Sequence, residues 1–437
     1  MDKLLIGVSK VTNRLRYIFD LVLVEQLGIT YEFTTDQQLL TAFEGPRFFY
    51  GDQPVEGVPY LQAVKLLFER EIVSQELKIF QFENIKAIFP VFHKQSIMTF
   101  DVFAACFFLV SRYEEYLPYV SDRHGRFEAD SSVFKKTGIL QKPVVNHWIK
   151  AFGGRLQYFF PALKIREKTY RFQLTYDVDA TWAYLHKGLV RSAGSYVKDF
   201  FKADFGEIRQ RTKVFRRKQN DPFDTFAYQL DIQKKYNLRP LYFILFANYG
   251  QYDKNISVRN RHFQHFIKYL GDYAEIGIHP SYASFEDKSL LKQEIKSLSR
   301  VLNKEVTKSR QHFLRMNLPV TYHNLIDMDI EDDYTMGYAS QLGFRAGIAD
   351  DFYFYDLDHD VITNLRIHPF TLMDGTLRDY MKLGATEAVI QAEELIRSVK
   401  AVGGTFILLW HNESLSEQKR WVGWRAAFES IVKAAMP

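Results

Sequence analysis

From residue 222 onward the chain alternates between helical and extended patterns, and this regularity limits the fold more than any other feature. A helical stripe over 224–236 leads through Pro240 into an apolar run, Leu-Tyr-Phe-Ile-Leu-Phe-Ala, at 241–247. The pattern recurs as helix 261–273 into strand 274–279, helix 289–302 into strand 308–314, helix 320–327 into 334–336, and helix 338–342 into 344–348. Extended segments at 352–355 and 364–370 follow, then helix 386–402 into strand 405–410. A last helix over 418–435 carries Trp421, Trp424 and Phe428. Parallel strands need a long crossover, usually a helix, so at least six such alternations predict a parallel sheet, most simply a barrel. Active sites of such barrels gather at the C-terminal ends of the strands.

The first 165 residues read as a separate, smaller mixed α/β domain, with residues 166–437 forming the barrel. Pro161 and the charged stretch 164–168 mark the boundary. In the first part, strand 3–8 and a helix ended by Gly28 precede extended segments at 31–34 and 47–50. A helical stripe at 59–80, a strand at 85–92 and an apolar helix at 100–116 follow. The polar stretch 117–142, with His124-Gly125-Arg126-Phe127, is either a functional loop or a surface connection. Neither a dinucleotide-binding nor a P-loop glycine pattern occurs. Cys106, the only cysteine, sits in an apolar helical run and excludes both a disulfide framework and a cysteine-based zinc site. The N-terminal apolar run is too short for a signal peptide, and no stretch approaches a membrane span. A soluble, cytoplasmic protein is expected, and a net charge of +5 does not by itself imply nucleic acid as a partner.

The chemistry begins at residues 171–179, Arg-Phe-Gln-Leu-Thr-Tyr-Asp-Val-Asp. The run reads as a strand with Asp177 and Asp179 on one face at its C-terminal end. Two carboxylates aimed into one space repel unless a cation, a proton or an arginine intervenes. Potential ligands also end later runs: His279 in Gly-Ile-His-Pro, Arg310 and His312 in Ser-Arg-Gln-His, and His411 in Leu-Trp-His-Asn. A single histidine at a strand end is usually a satisfied structural residue. Three that converge on one rim beside two aspartates have the composition of a catalytic divalent site with a position left for water. Arg310 and His312, two apart, are expected on one strand face. After this strand comes an insert, 180–221, rich in Lys and Arg with Tyr and Phe between. It reads first as a solvated, partly helical face, and its chemistry also suits an anionic glycan, a lipid head group or a membrane surface.

These motifs resemble those of the polysaccharide deacetylases, carbohydrate esterase family four, over residues 170–437. Thr-Tyr-Asp-Val-Asp is similar to that family's first motif, Thr-Phe-Asp-Asp-Gly, with Val178 inserted between the carboxylates. The resemblance implies a distorted (β/α) barrel, with Asp177 as general base and Asp179 as metal ligand. Gly-Ile-His-Pro-Ser-Tyr-Ala resembles the second motif, and His279 matches its first metal histidine, while Ala283 stands where the second belongs. His312 is the expected replacement. By the same resemblance Arg310 orients the base and His411 is the general acid, with Asp374 expected to orient His411 or to cap a helix. The whole chain resembles a bacterial subgroup that carries its own N-terminal α/β domain. The expected activity is metal-dependent removal of an N- or O-acetyl group from a glycan, with zinc as the expected ion. The alternatives are a glycoside hydrolase using Asp177 and Asp179, and a catalytically degenerate glycan-binding barrel.

Overall fold

The computed structural model describes residues 3–437. Strands β1 (Leu4–Val8), β2 (Tyr31–Thr34), β3 (Arg47–Gly51) and β4 (Tyr60–Gln62) form a parallel sheet in the order β2-β1-β3-β4. Strands β5 (Phe80–Phe82) and β6 (Ile85–Ala87) make a small antiparallel hairpin beside it. The helix Val102–Val110 is buried along its whole length, as its uninterrupted apolar sequence requires. Its Phe103 stacks on Phe19 at a centroid distance of 3.7 Å, and Cys106 lies in the same core.

The second part is built on β7 (Arg171–Val178), β8 (Leu241–Ile244), β9 (Glu275–Ile278), β10 (Lys308–Ser309) and β11 (Asp332–Asp333). Strands β12 (Phe352–Asp356), β13 (Val361–Ile367), β14 (Leu372–Met373) and β15 (Thr405–His411) complete it. From β7 through β11 each strand pairs in parallel with the next, and β11 pairs in parallel with β13. Strands β13 and β14 are nearly continuous in the chain, and β14 pairs with β15, which returns to β7. The extended run 361–373 therefore closes a ring of seven parallel positions, the distorted barrel expected from the sequence. Antiparallel β12 hangs outside the ring on β13.

Side-chain alternation divides the strands between two cores. Leu241, Phe243, Ile407 and Leu409 point into the barrel with Tyr334 and Phe370. Tyr242, Ile244, Leu408, Trp410, Tyr176 and Val178 point out to the helices. By the same period Asp177 belongs to the inward set. A Cβ on Gly277 of β9 would come within 2.9 Å of the Lys308 carbonyl oxygen, so only glycine lets β9 and β10 approach this closely.

Several expected elements differ: the strand expected at 334–336 lies at Asp332–Asp333, and that expected at 85–92 stops at Ala87. Residues 59–80 form only β4 and a single turn at Lys65–Leu67, because Leu66 and Leu67 are drawn into the core and Val64 donates its N–H to Asp101. The strand expected over 308–314 stops at Ser309, since Phe313 and Leu314 adopt left-handed φ values. Residues 338–348 are irregular, because their backbone serves the first part of the chain. Phe344 donates to the Leu140 carbonyl, and the Gly347 carbonyl accepts from Val145, both at 2.9 Å.

Side chains join the two parts as well. Glu115 accepts from Arg345 Nε at 2.9 Å and Nη2 at 2.6 Å, and from Arg112 Nε at 2.7 Å. All three residues are buried. Burial pushes the Glu115 carboxyl up, but Arg345 and Arg112 outweigh it and hold it below the usual range. Its contribution to stability is therefore present above the ordinary carboxylate range and is lost as pH falls through the lowered value. Glu115→Ala leaves the buried Arg345 guanidinium without a counter-charge, while Arg112 keeps Glu114 at 2.8 Å, and should cost about 3–5 kcal/mol. Urea unfolding at neutral pH checks this, and the difference from the unaltered protein should shrink in acid.

Candidate active and metal site

Strand β7 delivers Asp177 into the barrel mouth, with 2% of its surface exposed. Asp179, one residue beyond the strand end, is more open, its side chain about a third exposed (36%). Asp177 is in register with Phe243 on β8 and with His411 on β15. Asp177 and Asp179 thus stand at the centre of the C-terminal rim.

Arg310, wholly buried, donates from Nη1 to Asp177 Oδ1 at 2.8 Å and from Nε to the Tyr334 carbonyl at 3.0 Å. Its guanidinium lies 4.4 Å from the centre of the Phe243 ring, where a cation gains from the aromatic face. The inward core therefore forms the floor of the site, with an arginine between apolar rings and carboxylate.

Three imidazoles converge on Asp179 in the same manner. His279, the first residue after β9, places Nε2 3.3 Å from Asp179 Oδ1. His312 places Nε2 3.6 Å from Asp179 Oδ2, and His411 places Nε2 3.9 Å from the same oxygen. Each ring is held from behind through Nδ1: His279 by the Arg310 carbonyl, His312 by Asp253 Oδ1 at 2.8 Å, and His411 by Asp374 Oδ1 at 2.7 Å. Such a tie sets the tautomer and leaves Nε2 facing the cleft.

That arrangement tests whether the residues suit a cation. His279 spends its Nδ1 proton on a backbone carbonyl, so its neutral form offers a lone pair from Nε2 toward a carboxylate. Asp179 Oδ1 is buried and has no hydrogen-bond donor. Two acceptors that face each other at this distance call for a positive charge between them. Asp179, His279 and His312 each supply one nitrogen or oxygen ligand, all within 4.8 Å of one another, a donor set suited to zinc. The residues fit the group.

The charges follow from the same contacts. Burial pushes the Asp179 carboxyl up, but His312, His279 and His411 outweigh it and hold it well below the usual range. Burial alone would lower His312, while Asp179 and Asp253 bring it up to about 9. His411 is likewise disfavoured as a cation by burial, yet Asp374, Asp179 and Asp177 keep it charged well above the ordinary histidine value. Without a metal, the carboxylates hold protons on His312 and His411.

All seven residues singled out in the sequence, Asp177, Asp179, His279, Arg310, His312, Asp374 and His411, meet at this rim. Arg310 and His312 do so from a turn, not from the shared strand face expected. Ala283 lies in the turn Ala283–Phe285, outside the ligand cluster. Asp374 is fully buried and also accepts the backbone N–H groups of His411 and Gly375, so it positions His411 and caps the local backbone at once.

Sequence reasoning missed Asp253, which also accepts the Tyr282 N–H. It missed the part played by His124 too. The ring of His124 lies 5.9, 5.8 and 5.2 Å from those of Tyr252, Tyr282 and Phe313, and Arg315 bonds its carbonyl. The long loop 117–142 thus reaches the rim from the other part of the chain. The only sequence signal for it was its length.

A second His/Asp group lies apart, where Asp356 Oδ2 at the end of β12 receives His323 from the helix Val320–Ile326 at 2.7 Å and His359 from the β12–β13 turn at 2.6 Å.

Residues 4–161 match a family described as a family of unknown function (DUF7033). No curated protein matches the chain. Among solved structures, it is similar to a putative polysaccharide deacetylase from Mycobacterium smegmatis, with 17% identity over 62% of this chain and 86% of that one, at a TM-score of 0.41. It is also similar to a probable polysaccharide deacetylase from Pseudomonas aeruginosa PAO1, with 8% identity over 61% and 84%, at a TM-score of 0.40. A further similarity is to a CE4 family pseudoenzyme from Bacillus anthracis, with 13% identity over 62% and 61%, at a TM-score of 0.27.

Asp253 touches no ligand position itself and acts through His312. Asp253→Ala should weaken zinc or cobalt binding by about 10–100-fold while leaving the far-ultraviolet circular dichroism unchanged. Titration calorimetry on metal-stripped protein measures the difference.

Proposed function

We propose that this chain is a metal-dependent hydrolase that removes an N- or O-acetyl group from a carbohydrate. The observation that carries the reading is the convergence of His279, His312 and His411 on Asp179 beside the Asp177–Arg310 pair. Asp179, His279 and His312 would hold the ion, with zinc preferred by the nitrogen and oxygen donors. A divalent cation at that position supplies Lewis-acid polarisation and a more acidic water.

The chain's own groups divide the remaining work. Asp177 Oδ1 is engaged by Arg310, so Oδ2 is the oxygen that accepts a proton from the attacking water. Oxygen bonds to the acetyl carbon, and the bond to the sugar nitrogen or oxygen then breaks. His411, held as an imidazolium, gives its Nε2 proton to the departing amine or alkoxide. Asp374 keeps the ring oriented and compensates its charge, the usual task of a carboxylate behind a catalytic histidine.

Support for a carbohydrate comes from the motif resemblance and from the aromatic rim. The rings of Tyr252 and Tyr282 lie 4.2 Å apart at a tilt of 32°, and Phe313 adjoins His312, a surface on which a sugar ring can lie.

Acetate release from acetylated oligosaccharides is the direct test. Activity should vanish with a chelator, return with zinc or cobalt, and fall by about 10²–10⁴-fold in Asp177→Asn or His411→Gln. Acetate released by metal-free protein overturns the mechanism. New reducing ends without acetate would instead identify a glycosidase, and glycan binding that survives Asp179→Ala without turnover would identify a degenerate binding protein.

A further inference from the structure

The insert after β7 folds into two helices, Leu189–Phe201 and Phe205–Phe215, and the first is amphipathic in the reverse sense. A helix on a globular surface normally turns its apolar stripe inward. Here Arg191, Ser192, Ser195, Tyr196 and Asp199 are the half-buried positions, while the apolar side chains face solvent. Leu189, Val190, Val197, Phe200 and Phe201 are 91%, 89%, 55%, 63% and 83% exposed, and Phe205 at the turn is 63% exposed. At 3.6 residues per turn the first five fall within an arc of about 120°. No residue of this helix is buried.

The polar inward face anchors the helix. Asp199 pairs with Arg211 at 2.7 Å, and Tyr196 bonds Thr212 at 3.0 Å. Arg191 donates to the carbonyls of Lys254 and Asn255 at 2.8 and 3.0 Å. Glu207 meets Lys419 at 2.6 Å. These contacts fix the helix pair to the loops that carry Asp253 and follow His411, so the apolar face is presented in a set orientation at the rim of the cleft.

Charge selects the occupant of that face. Residues 187–218 hold ten Lys or Arg against three Asp or Glu, a net charge of +7 in a chain whose total is +5. The remainder of the protein is therefore slightly acidic, and the excess of positive charge is local. Lys198, Lys202, Arg209, Lys213, Arg216, Arg217 and Lys218 are exposed, and among the described residues none of them pairs with a carboxylate. Lys198 lies about 60° beyond the edge of the apolar arc, where its long stem can lie along a hydrocarbon boundary with its ammonium group at phosphate level.

We infer that the helix pair 189–215 docks the protein on an anionic phospholipid bilayer. The first helix lies in the interface plane with Phe200, Phe201 and Phe205 among the acyl chains, and the surrounding cations bind the head groups. The inference stands independently of the proposed reaction. It would hold the cleft at a membrane surface.

The full chain should sediment with vesicles of phosphatidylcholine containing one-third phosphatidylglycerol, with partitioning at least tenfold above that for pure phosphatidylcholine. The triple variant F200S/F201S/F205S should lose at least tenfold of that partitioning with an unchanged thermal melting curve, since these side chains contact little in the fold. High salt should weaken the interaction through screening. Absence of sedimentation with either vesicle overturns the inference, as does sedimentation that the triple variant retains. Lipid-free self-association that the same substitutions abolish also overturns it and identifies the face as a contact between copies.

Discussion

Negative charge concentrated in the barrel mouth sets the terms for everything around it. Asp177 and Asp179 face one space, with Asp253 and Asp374 behind its imidazoles, and each needs an answering donor or cation. Arg310 answers Asp177 from below, and three imidazoles answer Asp179 from the side. Asp253 and Asp374 stand behind two of those imidazoles. Removing Arg310 from this set would leave Asp177 as a lone buried charge, far costlier than the loss of one hydrogen bond.

The protein builds this cluster from strand ends because they are the rigid points of the fold. Parallel pairing fixes the register of β7, β8, β9 and β15, so Asp177, His279 and His411 cannot drift apart. Arg310 and His312 come from a turn instead, which the left-handed residues Phe313 and Leu314 shape. The turn is braced by the other part of the chain, since Arg126 bonds the Phe313 carbonyl at 2.8 Å and Arg315 bonds that of His124 at 2.9 Å. The first 165 residues therefore support the site mechanically, in addition to any role of their own.

The inward and outward cores of the barrel also serve different ends. The outward set, with Trp410, Trp424 and Phe428, stabilises the helices. The inward set is smaller and lies under the polar cluster, where Phe243, Tyr334 and Phe370 surround the Arg310 guanidinium. Low polarity beneath the site strengthens each charge interaction above it.

Periodicity and motif order determined much of this from the sequence. The 3.6-residue and two-residue periods marked the alternating elements, and the spacing of Asp177 and Asp179 put both carboxylates on one inward face. Runs such as Gly-Ile-His and Leu-Trp-His located histidines at strand ends, because an apolar stretch that stops on a polar ligand is local information. Local patterns carry nothing about what an irregular segment meets, so 59–80 looked helical and 308–314 looked extended. Only the tertiary structure brought Asp253 behind His312, across a gap of 59 residues, and His124 onto the rim. It alone revealed that the apolar stripe of the helix Leu189–Phe201 faces solvent. A stripe is written in the residues, but the direction it faces depends on how Asp199 and Arg191 anchor the helix to distant loops.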